Sequence, residues 1–257
     1  SKIMEALALK SAELGISDPK LLERGLNSML GKAYREQQNR EEVARKTIEY
    51  LEEEPAPTSS AGPSDDWMDV FEDFASKASA DSIRDMFARV LAGEIRNPGN
   101  FSRATLHFVS ILDTEIAKLI DKVAPYSVAN SFFPKDLASK VMQYGEWLIL
   151  EEAGFLSFGG GNLNLSRDVD VQGFVDFRMG SNLVLYKPKN KGSITVSAVK
   201  LTSPGQQILK TINPNFRLNE LAAWLWSLDA EDVVIAEIGT GWDGKEFVKG
   251  VVPFPKP

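Results

Sequence analysis

Carboxylates offer the first chemistry in this chain. Asp65, Asp66, Asp69 and Asp73 lie close together, and Asp69 and Asp73 stand one helical turn apart. Two carboxylates so spaced can hold a hard divalent cation through oxygen, which would suit a metal-dependent phosphoesterase. The plainer account is an acidic helix start that complements the helix dipole and stays solvated; it is preferred. Asp168, Asp170 and Asp176 alternate along an expected loop and strand, where charge discourages edge pairing. His107 is the single histidine, set between Leu106 and Phe108. Acid–base work by histidine needs an orienting partner, and none is identifiable, so His107 reads as structural or surface. With no cysteine, disulfides, cysteine-ligated zinc, iron–sulfur clusters and cysteine nucleophiles are excluded. Gly159, Gly160 and Gly161 lack any accompanying phosphate-loop pattern and read as a β-turn. No catalytic residue, metal ligand or cofactor is assigned.

Two other groups of residues point to binding. Lys187, Lys189 and Lys191 crowd an expected hairpin tip, YKPKNKG, with Arg178 and Lys200 nearby. The order helix, EEAGFL, strands, LTSPG and helix is that of a winged helix, whose wing often touches phosphates. Against DNA, residues 126–257 carry 13 basic and 14 acidic side chains. The preceding helix offers only Lys140 and Gln143 as polar contacts on its outer face. Trp224 and Trp226 lie two apart on one helix and cannot both face one core, and exposed aromatics are common anchors for a partner. The core alternative puts Trp226 inside the domain and Trp224 between domains. Together these features point first to a non-enzymatic interaction or regulatory protein with a protein partner. A DNA-binding winged helix is the alternative, and the phosphoesterase the second alternative.

Composition sets the bounds. A chain of 257 residues with 43% hydrophobic and 25% charged residues is globular and long enough for one large or two ordinary domains. Its net charge of -7 argues against a broad grip on nucleic acid. No apolar run approaches the ~20 residues that span a bilayer, and SKIMEALALK is too charged for a secretory signal. The expectation is a cytoplasmic protein with no membrane partner.

The elements that must position these residues are α+β. Residues 1–54 read as N-terminal helices, with Ile3, Leu7, Ala8 and Leu14, then Leu21, Leu22, Leu26, Met29 and Leu30, at helical spacing. Ser17, Asp18 and Pro19 supply a cap and an early proline where the second helix starts. From Lys32 the helix turns polar, with Tyr34, Val43, Ile48 and Leu51 as sparse anchors; such a helix is solvated or packs on a partner chain. Residues 55–64, PAPTSSAGPS, read as a linker. Residues 65–125 hold four short amphipathic helices, expected as an antiparallel bundle. Residues 126–257 read as a winged-helix-like α+β domain. It comprises one helix over 134–153, several short strands, a helix capped by Ser203, a further helix, and a hairpin turning at Asp243 and Gly244.

The segment DSIRDMFARVLAGEIRNPGNFSRATLHFVSILD, with LAGEI, PG and FS at its core, resembles the bacterial DUF2806 family. Its motif residues here are Glu94, Arg96, Pro98, Gly99, Phe101 and Ser102. The same helical pattern is similar, more weakly, to the Abi-alpha (DUF4393) family, named for abortive infection. The resemblance implies a bacterial or prophage-borne protein linked to phage defence, and it brings no catalytic residues. Read without it, Glu94, Arg96, Asn97 and Arg103 form either a polar site or a turn stapled by side chains.

Overall fold

The computed structural model describes residues 5, 9, 12, 13, 15 and 18–257, apart from 55–60, 159–162, 190–191, 213 and 241–244. Ile3, Leu7, Ala8, Leu14, Ser17, most of the expected linker, the Gly159–161 turn, Lys191, Asp243 and Gly244 therefore lie outside the described residues. The chain is α+β and divides into two compact units, residues 1–96 and 97–257. Among the described residues no helix is long and apolar enough to cross a membrane.

The first unit is helical. Asp18 accepts the Lys20 N–H at 2.9 Å and caps α1 (Pro19–Glu53), a single helix of 35 residues. Its successors are shorter: α2 (Asp65–Ser76) and α3 (Asp81–Arg96) have 12 and 16 residues. Asp65 and Asp66 occupy the first turn of α2, where they complement its dipole. Apolar residues at helical spacing bury one face of each helix. Trp67 stacks on Phe71 at 5.2 Å, and Phe71 meets Phe87 edge-on at 5.7 Å. Val43 and Thr47 of α1 are buried as well. Burial of each such large apolar side chain contributes roughly 1.5–3 kcal/mol.

Polar contacts fix the register. Asn39 donates to the Ser76 carbonyl at 2.8 Å, so the end of α2 lies beside the middle of α1. Thr47 then lies against Ala88 and Glu54 against Arg96, so α3 runs in the same direction as α1. The four helices of residues 65–125 are thus shared between the two units. The apolar faces of α2 and α3 are spent on α1, a choice that periodicity does not reveal.

The second unit begins with α4 (Arg103–Ser110) and α5 (Thr114–Val123). Next come β1 (Phe132–Pro134), α6 (Lys135–Ala138), α7 (Tyr144–Glu152) and β2 (Leu156–Ser157). After β3 (Leu163–Asp168), β4 (Val175–Met179), β5 (Asn182–Pro188) and β6 (Ser193–Leu201), the chain forms α8 (Ser203–Thr211) and α9 (Leu218–Trp226). It closes with β7 (Ala230–Thr240) and β8 (Glu246–Pro253). The expected single helix over 134–153 is two helices. Pro134 ends β1, and α7 starts afresh where Glu146 accepts the Gln143 N–H at 2.7 Å.

Both sheets are four-stranded and antiparallel. In the first, β6 is central, pairing with β1, β2 and β3. The second has the order β4-β5-β7-β8, and one row runs across it through Phe177, Val184, Ile235 and Val252. Alternation buries Val175, Phe177 and Met179 on one face of β4 and Ile194, Val196 and Ala198 on one face of β6. The segment YKPKNKG is not a hairpin tip. Its flanking strands belong to different sheets, and the hairpin turns instead at Gly180 and Ser181, between β4 and β5.

Helix α8 enters through a tight joint. Its cap is Thr202 rather than Ser203: the Thr202 hydroxyl accepts the Gly205 N–H at 3.1 Å and donates to the Gly154 carbonyl at 2.6 Å. A Cβ at Gly205 would stand 2.0 Å from the Phe155 carbonyl oxygen, so only glycine fits. Gly205→Ala should therefore destabilise the second unit by about 3 kcal/mol, as overpacking against rigid backbone does. A thermal melt in which the variant matches the parent chain would refute this close approach.

Candidate interaction surfaces

The motif shared with the resembling family is structural in each unit. In the first, Glu94 is buried in α3. Arg96, the last residue of α3, reaches the end of α1: its Nε donates to the Glu54 carbonyl at 2.6 Å, and Nη2 donates to the Tyr50 carbonyl. A helix leaves its last carbonyls without intrahelical partners, and a guanidinium at that end satisfies them. In the second unit, Pro98 and Gly99 are exposed, and Gly99 takes the left-handed φ of +86° that a turn after a helix requires. Phe101 is buried. Ser102 caps α4, and its N–H donates at 2.9 Å to Gln207 Oε1, which also accepts from the Thr105 hydroxyl. The stapled turn is therefore what these side chains build.

The DNA-facing candidates are largely neutralised. Arg178 makes a two-pronged pair with Glu246 at 2.9 Å on each arm. Lys187 lies 2.9 Å from Glu231, and Lys189 pairs with Asp229. Lys200 is exposed on β6, away from this chain of ion pairs. Helix α7, YGEWLILEE, carries three glutamates and no basic residue. Lys122 takes up one of them, Glu146, at 2.6 Å and holds its carboxyl below the usual range, aided by the Gln143 N–H.

Neither tryptophan is a free anchor. Trp224 is buried within the second unit, and Trp226 is half-buried with its indole N–H donated to the Phe254 carbonyl at 3.0 Å. Spacing alone could not show this, because α9 is covered on two sides. His107 is exposed in the last turn of α4. On α2, Lys77 holds both oxygens of Asp73, at 2.6 and 2.7 Å. Among the described residues no three histidines, aspartates or glutamates converge to hold a metal.

Uncovered apolar surface does occur, and it lies chiefly on α1. Asn39, Val43 and Thr47 sit under the neighbouring helices, but residues 19–38 form an arm of about 30 Å beyond them. On this arm Met29 is 72% exposed, Leu30 59% and Tyr34 66%. A second apolar surface lies on β8, all of whose residues are exposed, Phe247 and Val252 among them. That strand carries Lys249 and a bulge at left-handed Gly250, features that discourage edge pairing. The apolar face of the arm was legible in the leucines and methionine at helical spacing, but its exposure was not. The β8 surface was not, because EFVKGVVP reads like any strand with one buried face.

Beside the arm opens a polar cleft of about 630 Å³, lined by Arg35, Asn39, Arg45, Ser79 and Arg84 among others. Its charge is largely balanced. Arg45 is engaged by Glu42 and Glu49, and Arg84 donates to Asn39 at 3.1 Å. Further along α1 the Tyr50 hydroxyl donates to Asp85 at 2.7 Å, and Arg89 donates to the same carboxylate at 2.9 Å. Burial, with the Asp85 bond, pushes the Tyr50 phenol up to about 12 from its ordinary 10.0. Burial acts to raise Asp85, but the Tyr50 hydroxyl and Arg89 outweigh it and hold the carboxyl below its ordinary 3.8.

The signs follow from linkage. The raised phenol stabilises the fold fully below pH 10.0 and loses that contribution as pH rises towards about 12. The lowered carboxyl stabilises above pH 3.8 and loses its contribution as pH falls through its folded value. Tyr50→Phe should cost about 1 kcal/mol at neutral pH, given the half-exposed setting. The variant's melting temperature should also decline less steeply between pH 10.0 and about 12, the remaining decline including that of the raised Tyr126 and Tyr186 phenols. An alkaline decline unchanged in the variant would contradict this assignment.

Residues 23–134 match the family model described as "Protein of unknown function (DUF2806)". No curated protein and no solved structure matches the chain. The matched span runs from within the α1 arm to the end of β1 and includes the Arg96 staple and the Ser102 cap. Over this span, less than half of the chain, the sequence is similar to the DUF2806 family.

Proposed function

We propose that this protein is a non-enzymatic interaction protein and that the α1 arm receives its protein partner. The observation that carries this is the exposed apolar stripe of the arm, where Met29 and Leu30 are 72% and 59% exposed on a helix otherwise rich in charge. Contiguous apolar surface of this kind on a folded chain marks interaction sites. The partner is to be sought in bacterial extracts before and during phage infection, the setting that the family resemblance implies.

The test is affinity purification of the parent chain beside the double variant M29E/L30E. Because both side chains are exposed, the variant should keep its stability within about 0.5 kcal/mol of the parent chain's. A stoichiometric protein held by the parent chain should be lost from the variant. Equal recovery from both would sink the arm as the docking site.

The strand order favours a second reading. We propose that α5, β1, α6, α7, β3 and β6 make a winged helix, with β6 between β1 and β3 and the wing enlarged to carry β4 and β5. Such domains often bind DNA through the helix in the place of α7, but the three glutamates of this helix disfavour phosphate. Duplex DNA should therefore bind no more tightly than about 10⁻⁴ M at physiological salt. Tighter, salt-sensitive binding that weakens when Lys187, Lys189 and Lys191 become alanine would favour the DNA reading instead.

A further inference from the structure

We propose that the partner of the α1 arm is the same arm of a second copy of this chain, packed antiparallel. This rests on the arm's being a docking surface and adds the identity of what docks. The sequence of the arm carries the inference. Leu22, Leu26, Met29 and Ala33 recur at alternating steps of four and three residues, the repeat with which one helix keeps a continuous seam towards another. Further along the same helix this register passes the charged Glu36 and Arg40, which end the apolar run, and then meets Val43 and Thr47, which α2 and α3 cover. Its first part is not covered by α2 or α3: Leu22 and Leu26 are half-buried, and Met29 and Ala33 are exposed.

Direction follows from side-chain volume. In a parallel pair each layer would stack a residue on its own copy, so that Ala33 would face Ala33 and leave a void. Run antiparallel, Leu22 of one copy meets Ala33 of the other, and Leu26 meets Met29. Every layer then joins two different residues, and the alanine layer is filled by leucine. The positions flanking this seam are Glu23, Gly25, Leu30 and Lys32. Antiparallel pairing sets Glu23 near Leu30 and Lys32 near Gly25 of the second copy, so no like charges are forced together. Leu30 also gains cover.

The arm is short for an isolated coiled coil, which would ordinarily have to nucleate its own helix. Here the helix is already held further along α1 by Asn39 and Tyr50 and, from α3, by Arg96, so association needs no nucleation. Pairing of about four layers on preorganised helices should give a dissociation constant on the order of 10 μM.

Sedimentation velocity up to about 200 μM, together with cysteine cross-linking, tests this. The chain has no cysteine of its own, so a disulfide can form only where one is introduced. The parent chain should pass from monomer to dimer, and M29E, whose folding is checked by circular dichroism, should stay monomeric. When L26C and M29C chains are mixed and oxidised, the L26C–M29C species should exceed either homodimer about tenfold. Homodimeric cross-links in excess would overturn the antiparallel pairing. A parent chain monomeric throughout would overturn the inference altogether; if it still lost a foreign protein on M29E/L30E substitution, the arm would stand as a docking site for that protein.

Discussion

Helix lengths constrain everything else in the first unit. At 1.5 Å per residue, α1 is about 52 Å long, whereas α2 and α3 are about 18 and 24 Å. Two helices of that length, folded back beside one another, can cover only part of their longer neighbour. Asn39 fixes which part, because its bond to the Ser76 carbonyl sets the end of α2 against the middle of α1. The C-terminal half of α1 thereby becomes core and the N-terminal half becomes surface. An exposed apolar arm is a consequence of this mismatch, not of weak packing.

The covered half is held by polar contacts that are cheap to satisfy and costly to leave unmade. Asn39 is buried and bonded to both Ser76 and Arg84. Tyr50 and Arg89 share Asp85, and Arg96 receives the final carbonyls of α1. These contacts join α1 to α3 at several points along its length and prevent register slip between two amphipathic faces, since a buried polar group that loses its partner costs about 1–3 kcal/mol. The residues by which the family is recognised thus act chiefly in folding. Arg96 satisfies the last carbonyls of one helix, and Ser102 caps the start of another.

In the second unit the same kind of accounting changes the meaning of the basic residues. Arg178 of β4, Lys187 of β5 and Lys189 just beyond it are met by Glu246, Glu231 and Asp229, which come from β8, from β7 and from the residue before β7. These surface pairs add little stability, but they remove free positive charge from the region that would have met a phosphate backbone. The central place of β6 in one sheet, and the passage of β5 into the other, is what separates these residues from a hairpin tip.

Much of this was legible in the order of residues. Local rules act over a few positions, so the cap and proline at Asp18 and Pro19, the turn at residues 97–100, and the helix-then-strand sequence of an α+β chain are all determined there. Composition likewise determined that no cysteine chemistry is available. Only the tertiary structure decided that Trp224 is core and Trp226 is tied to Phe254, that the helix expected over 134–153 is broken, and that α2 and α3 pack with α1. It also decided that Lys187 and Lys189 face the carboxylates of Glu231 and Asp229, some 40 residues later in the chain. The physical reason is common to all of these. Periodicity says which face of an element is apolar, but which neighbour covers that face, and how far along it the cover extends, depends on contacts between residues distant in sequence.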